Sequence, residues 1–203
     1  TRNSFIIGIA ATLLATALGT VAALGLSRRN MPFKGTIMAI LISPMIVPLI
    51  ITSAGMFFFY SKIGLTHTYL GLILAHTALG TPFVVITVTA TLTGFDTNLI
   101  RASQSLGADT MRTFFKVIMP LILPGVISGA LFAFITSFDE VVVVMFVGSV
   151  EQITIPKQMW AGLRQETSPV ILCMATCLVF LSIALLTTVE LLRRRSERLR
   201  GIK

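Results

Sequence analysis

Residues 100–120 read IRASQSLGADTMRTFFKVIMP. The stretch holds three basic residues, Arg101, Arg112 and Lys116, and one acid, Asp109, around a central Leu106, Gly107 and Ala108. Almost everything on either side of it is apolar. A polar segment of this length marks where the polypeptide leaves its apolar surroundings, so the fold depends on what those surroundings are.

The chain has 203 residues, 55% hydrophobic and 12% charged, with a mean hydropathy of +0.92. A soluble domain carries about 25% charged residues. Half that share means that much of the chain faces something other than water. The net charge is +8. A nucleic-acid binder would carry its basic residues as one face of a soluble fold. Here they stand in short clusters between apolar runs, which is the membrane pattern. Lipid is therefore an expected partner and nucleic acid is not.

Bilayer hydrocarbon is about 30 Å thick and takes about 20 apolar helical residues to cross. Five segments qualify: 4–26, 35–60, 69–92, 125–147 and 170–192. The fold class that follows is all-α, a polytopic helical bundle forming one transmembrane domain over residues 1–203. Pro44, Pro48 and Pro82 fall inside spans, where neighbouring helices re-satisfy the freed backbone groups.

Orientation comes from the basic residues. Arg28, Arg29 and Lys34 lie between spans one and two. Arg101, Arg112 and Lys116 lie between three and four. Arg193, Arg194, Arg195, Arg198, Arg200 and Lys203 follow span five. These make 12 of the 16 basic residues and share one side. The other side has Arg2, Lys62, Lys157 and Arg164. The richer side is read as cytoplasmic, with the C-terminus inside and the N-terminus outside. The chain opens on TRNSF, with neither Met nor a signal peptide, and the expectation is that one further spanning helix precedes it.

The connection at 93–124 is long, and such connections are usually functional or disordered. Its pattern is structured. Asp96 is placed to cap a helix starting near Thr97, with Leu99, Ala102, Ser103 and Leu106 at helical spacing. Gly107 breaks that helix. Asp109 or Thr110 caps a second one carrying Met111, Phe114, Phe115 and Ile118. Pro120 and Pro124 then lead into span four. Two short amphipathic helices with a glycine elbow suit either an interfacial pair lying on lipid or a docking element for a cytoplasmic partner.

These residues resemble the EAA signature found in permease subunits of binding-protein-dependent ABC importers, roughly E-A-A-x-x-L-G-A, then F, then L-P-x-x-x-P. Ala102, Leu106, Gly107, Ala108, Phe114, Pro120 and Pro124 match it. Arg101 stands for the Glu, Ser103 for the second Ala and Met119 for the Leu. NSF before span one, SFDEVVVVMF in span four and VELLRRRSERLR at the end resemble the spermidine/putrescine branch. The resemblance implies a type I importer fold with six spans in the inner membrane. It also implies a second permease subunit, two cytoplasmic ATPase subunits docked on the EAA loops and an extracytoplasmic solute-binding protein. The coupling residues would be Arg101, Ala102, Ser103, Leu106, Gly107, Ala108, Met111, Phe114, Phe115 and Pro120. Apolar anchors such as Met111 and Phe114 or Phe115 would seat in a partner's groove, and Gly107 would permit the turn that presents them.

The chain lacks a G-x-x-x-x-G-K-[ST] loop, so no ATP hydrolysis of its own is expected, and neither a catalytic set nor a cofactor. His76, inside span three, reads as a hydrogen-bonded packing residue. Cys173 and Cys177, four apart, read as small packing residues.

In span four, Asp139 and Glu140 are ionisable residues within an apolar run, which marks a functional site by default. On a helical wheel they share a face with Gly125, Ser128, Gly129, Phe132 and Thr136. Such a stripe suits a helix lining a pathway or a tight helix–helix seam. A cationic polyamine would find carboxylates for its ammonium groups and an aromatic face in Phe132. The substrate assignment follows from the resemblance. Other solutes of the same class of permease are a ferric ion, an amino acid derivative or an oxyanion. A self-contained channel or secondary transporter would need more charged residues inside its spans, and a plain membrane anchor would leave the stripe unused.

Overall fold

The structure, a computed structural model, describes residues 2–28, 31–96, 98–165 and 169–199. Arg29, Arg200 and Lys203, counted above in the basic clusters, lie outside the described residues, as do the side chains of Arg164 and of residues 193–198.

Among the described residues, three helices are long and apolar enough to cross a membrane alone. They are α1 (Arg2–Leu26), α4 (Tyr69–Thr93) and the run Thr110–Phe138. They pack on one another as the centre of the bundle. Lipid tails are as apolar as Leu, so these helices gain by close approach rather than by leaving water, and small residues sit at the crossings. Gly129 abuts α4 so closely that a Cβ there would come 2.8 Å from Val84 Cα. Gly19 would meet Val84 Cβ at 2.7 Å, and Gly80 would meet Ala133 Cβ at 3.0 Å. Between them lie Ala15, Ala23, Val84, Val88, Ile122 and Ala133, all buried.

The second expected span is broken. Helices α2 (Lys34–Ile46) and α3 (Leu49–Ile63) meet at a bend of 103°. Pro44 alone is tolerated within α2. Pro48 then removes the N–H that Pro44 would have bonded, and α3 starts afresh with Pro48 as its N-cap. Helix α2 packs on α4, and α3 packs on α8 (Val142–Val147).

The fourth span differs from its expected bounds at both ends. Its helix begins at Thr110 rather than near Gly125, and it ends at Phe138 rather than Val147. At the front, α6 (Thr110–Thr113), a π-turn (Phe114–Ile118) and α7 (Met119–Phe138) run on without a gap. The wide turn lets Met119 N–H reach back to Phe114 O, so the helix passes Pro120 without interruption. At the back, a break at residues 139–141 separates α7 from α8. The fifth expected span falls on α10 (Pro169–Leu199), whose apolar stretch among the described residues, Leu172–Thr188, is shorter than the three helices above. It packs on α7 and on α9 (Ile155–Gln165).

Candidate functional site

The polar segment forms an angle of two short helices closed by local chemistry. Asp96 Oδ1 accepts from Asn98 N–H at 2.9 Å and opens α5 (Asn98–Ser105). The helix closes with a paired C-terminal lock. Gly107 N–H donates to Gln104 O at 2.9 Å, and Ala108 N–H donates to Ser103 O at 3.1 Å. This lock places Gly107 in the left-handed region, φ +80°. Asp109 then accepts from Arg112 N–H at 2.7 Å and starts α6. Ser103 Oγ and Thr113 Oγ1 lie 3.0 Å apart and clasp the two helices across the turn. The sequence reading missed this clasp, although Ser in place of the usual Ala at that position was its only available signal.

Of the stripe Leu99, Ala102, Ser103 and Leu106, Ser103 is half-buried and the other three face outward, with Leu106 88% exposed. Ile100 is the other half-buried residue of α5. Met111 and Phe115 also project outward, at 64% and 60% exposure. Phe114 is half-buried and stands edge-on to Phe115, centroids 5.0 Å apart. With Ile100, Gln104 and Thr113 it lines a cavity of about 480 Å³ against Leu24 and Leu92. Arg101, Arg112, Lys116 and Pro120 are exposed, and Ala108 is half-buried. Exposed Leu106, Met111 and Phe115, with exposed Arg101, Arg112 and Lys116 in the same segment, are therefore presented on a turn closed by local hydrogen bonds.

The second group is not one site. Phe132 stacks on Phe83, centroids 6.2 Å apart. Gly125 and Gly129 face Thr91 and Thr87 of α4, so the lower part of the stripe is a helix–helix seam. Thr136 is half-buried beside it. The break after Phe138 separates the two acids. Asp139 is exposed. Glu140 is 7% exposed, and its Oε1 accepts from Val143 N–H at 2.9 Å, at the start of α8. A carboxylate there meets the positive end of the short helix. His76 is buried, with Nδ1 2.7 Å from Ser137 Oγ, as a packing residue would be. Cys173 and Cys177 are exposed, which the packing reading did not anticipate.

At the opposite end of the bundle from residues 100–120, the start of α1 holds the loop after α8. Asn3 Nδ2 donates to Glu151 O at 2.7 Å and to Ile153 O at 3.1 Å, while its Oδ1 accepts from Tyr69 Oη at 3.0 Å. Ser4 Oγ accepts from Ile155 N–H at 2.8 Å. Lys157 Nζ donates to Val144 O at 3.2 Å, and burial lowers its pKa below the usual lysine value.

Residues 15–199 match the family described as binding-protein-dependent transport system inner membrane component. The chain is 31% identical over 195 residues to the spermidine/putrescine transport system permease protein PotC of Haemophilus influenzae, covering 96% of this chain and 76% of that protein. It is 28% identical over 193 residues to PotC of Escherichia coli K12, covering 95% and 73%. It is 29% identical over 186 residues to the putrescine transport system permease protein PotI of the same strain, covering 87% and 65%. The fold is similar to that of the MetNI methionine ABC transporter in inward facing conformations. Two crystal forms give TM-scores of 0.67 and 0.72 at 21% and 20% identity, each covering 100% of this chain and 94% of that one.

Proposed function

The chain belongs to the binding-protein-dependent transport system inner membrane components and is a multi-pass membrane permease; from that premise we propose that it carries a polyamine of the spermidine/putrescine class and couples to a cytoplasmic ATPase through residues 100–120. The observation that carries the coupling is the outward cluster of Leu106, Met111 and Phe115 on the locked turn. Burying such side chains in a partner groove is the helix-in-groove mode. The clasp and the lock make the turn stiff, so movement of the partner reaches α7 directly, because the helix from Thr110 is continuous to Phe138. The solute assignment is supported by the names of the relatives and by the exposed Asp139 beyond the end of α7.

In this reading the polar segment is cytoplasmic, as is the C-terminus. A companion permease completes the pathway, and an extracytoplasmic binding protein delivers the solute. The test is ATP-dependent uptake of labelled putrescine and spermidine by proteoliposomes holding the whole transporter, with methionine and ferric ion as alternative solutes. Uptake of a polyamine that stops without the binding protein is the expected result. Uptake of another solute alone would overturn the polyamine assignment. Retained ATPase co-purification after Met111→Asp with Phe115→Asp would overturn the docking role.

A further inference from the structure

The bend between α2 and α3 leaves backbone polarity unmet inside the bilayer. Pro44 has no N–H, and the carbonyl of Ile40 that it would have served accepts instead from Ser43 Oγ at 2.8 Å. Pro48 likewise has no N–H for Pro44 O. The 103° bend then carries α3 away from the carbonyls of Met45, Ile46 and Val47. Among the described residues none of these four oxygens accepts a hydrogen bond. The donors beyond the bend fare better. Ile51 and Thr52 N–H both reach Pro48 O, at 2.9 and 3.2 Å. The bend is therefore rich in free acceptors, and it is the negative end of α2 that points into it.

Its depth follows from length. Helix α2 starts at Lys34, soon after α1 ends at Leu26, with Ser27 and Arg28 beside the cavity under the polar segment. Thirteen residues make a helix about 20 Å long, so where α2 runs along the membrane normal its end lies within hydrocarbon about 30 Å thick. Irregular backbone at that depth is tolerated only where protein buries it or water reaches it. Met45, Ile46 and Val47 are 53%, 74% and 40% exposed in this subunit.

We propose that this bend is an ammonium-accepting station on the transport path, in which the carbonyl oxygens of Pro44, Met45, Ile46 and Val47 take the cationic nitrogen of the solute. The inference rests on the reading that the solute is an alkylammonium ion. It adds a contact made by backbone rather than by Asp139. Carbonyl rings and half-helix ends serve cations in this way wherever a spanning helix is broken around a pathway. Pro48 is then a positioning residue, since it holds the acceptors open.

The experiment uses the whole transporter with Cys173→Ser and Cys177→Ser, and places Met45→Cys, Ile46→Cys and Val47→Cys one at a time. A positively charged methanethiosulfonate should modify these positions at least about tenfold faster than a negatively charged one, and putrescine should slow the reaction. Separately, Pro48→Ala supplies an N–H for Pro44 O. It should raise the KM for putrescine about tenfold or more while binding-protein-stimulated ATPase activity is kept. Gly55→Ala, on α3 with nothing within 4 Å of its Cβ, should leave KM near wild type. Silent cysteines, equal rates with the two reagents, or no protection in a transporter that takes up putrescine would overturn the inference while the solute assignment stands. A wild type that takes up no polyamine would overturn the solute assignment and, with it, this inference.

Discussion

At the scale of single residues, Gly107 carries the clearest demand. Its φ of +80° costs a residue with a Cβ about 1 kcal/mol or more, and Asn tolerates that conformation best. Nothing lies within 4 Å of a Cβ there, so the cost is conformational and not steric. Gly107→Asn should retain most ATPase co-purification, Gly107→Ala less, and Gly107→Pro least. An unordered series would show that the turn does not set docking. The two acids should also separate. Glu140 caps α8 through Oε1, and Gln keeps that acceptor, so Glu140→Gln should express and transport close to wild type. Glu140→Leu should lose about 1 kcal/mol or more with the cap. Asp139 is exposed and ends α7 through its backbone N–H on Ile135 O, a bond that Asn keeps, so a fall in uptake on Asp139→Asn, normalised to protein level, would place it on the path. Equal effects of Asp139→Asn and Glu140→Gln would contradict the division of roles.

At the scale of elements, the seam between α4 and α7 depends on side-chain absence. A Cβ at Gly129 would stand 2.8 Å from Val84 Cα, a backbone atom that cannot move alone. Gly129→Val should therefore destabilise the bundle by about 1–3 kcal/mol, the usual cost of overpacking, read as a lower midpoint in thermal unfolding in detergent. Gly55 on α3 has nothing within 4 Å of its Cβ, and Gly55→Ala should not shift the midpoint downward. The paired helices of the polar segment hold together by one clasp. Ser103→Ala removes a partner of Thr113, which is 2% exposed. The loss should be about 1 kcal/mol, seen as faster backbone hydrogen exchange in α5 with α4 unchanged.

At the scale of the whole molecule, orientation is the property most open to direct test. In the proposed orientation, drawn from the 12-to-4 division of basic residues, the polar segment is inside and the loop after α8 outside. Val150 is 85% exposed in that loop. With Cys173→Ser and Cys177→Ser, Val150→Cys should react with an impermeant maleimide added to intact cells. Lys116→Cys should react only after the membrane is opened. The reverse pattern would invert the topology and remove the cytoplasmic docking site with it.

What the sequence by itself determined is what depends on near neighbours or on total composition. Membrane residence follows from hydropathy summed over whole segments. Asp96 and Asp109 as helix starts, and Gly107 as the turn, are legible because a cap or a left-handed residue acts within three or four positions of itself. What only the tertiary structure decided is rotation and interruption. A helix apolar on every side gives no periodicity to say which face turns inward, and in the polar segment spacing left Phe114 and Phe115 interchangeable, although Phe114 lines the cavity and Phe115 projects outward. The bend after α2 and the break after Phe138 were hidden for the same reason, since Pro44, Pro48 and the acid pair sit in runs that continue apolar beyond them. Whether such a run stays one helix depends on what packs against its two halves. Helix α3 rests on α8 while α2 rests on α4, and Glu140 finds the start of a new helix at Val143. Those partners lie far away in the chain, and only folding brings them together.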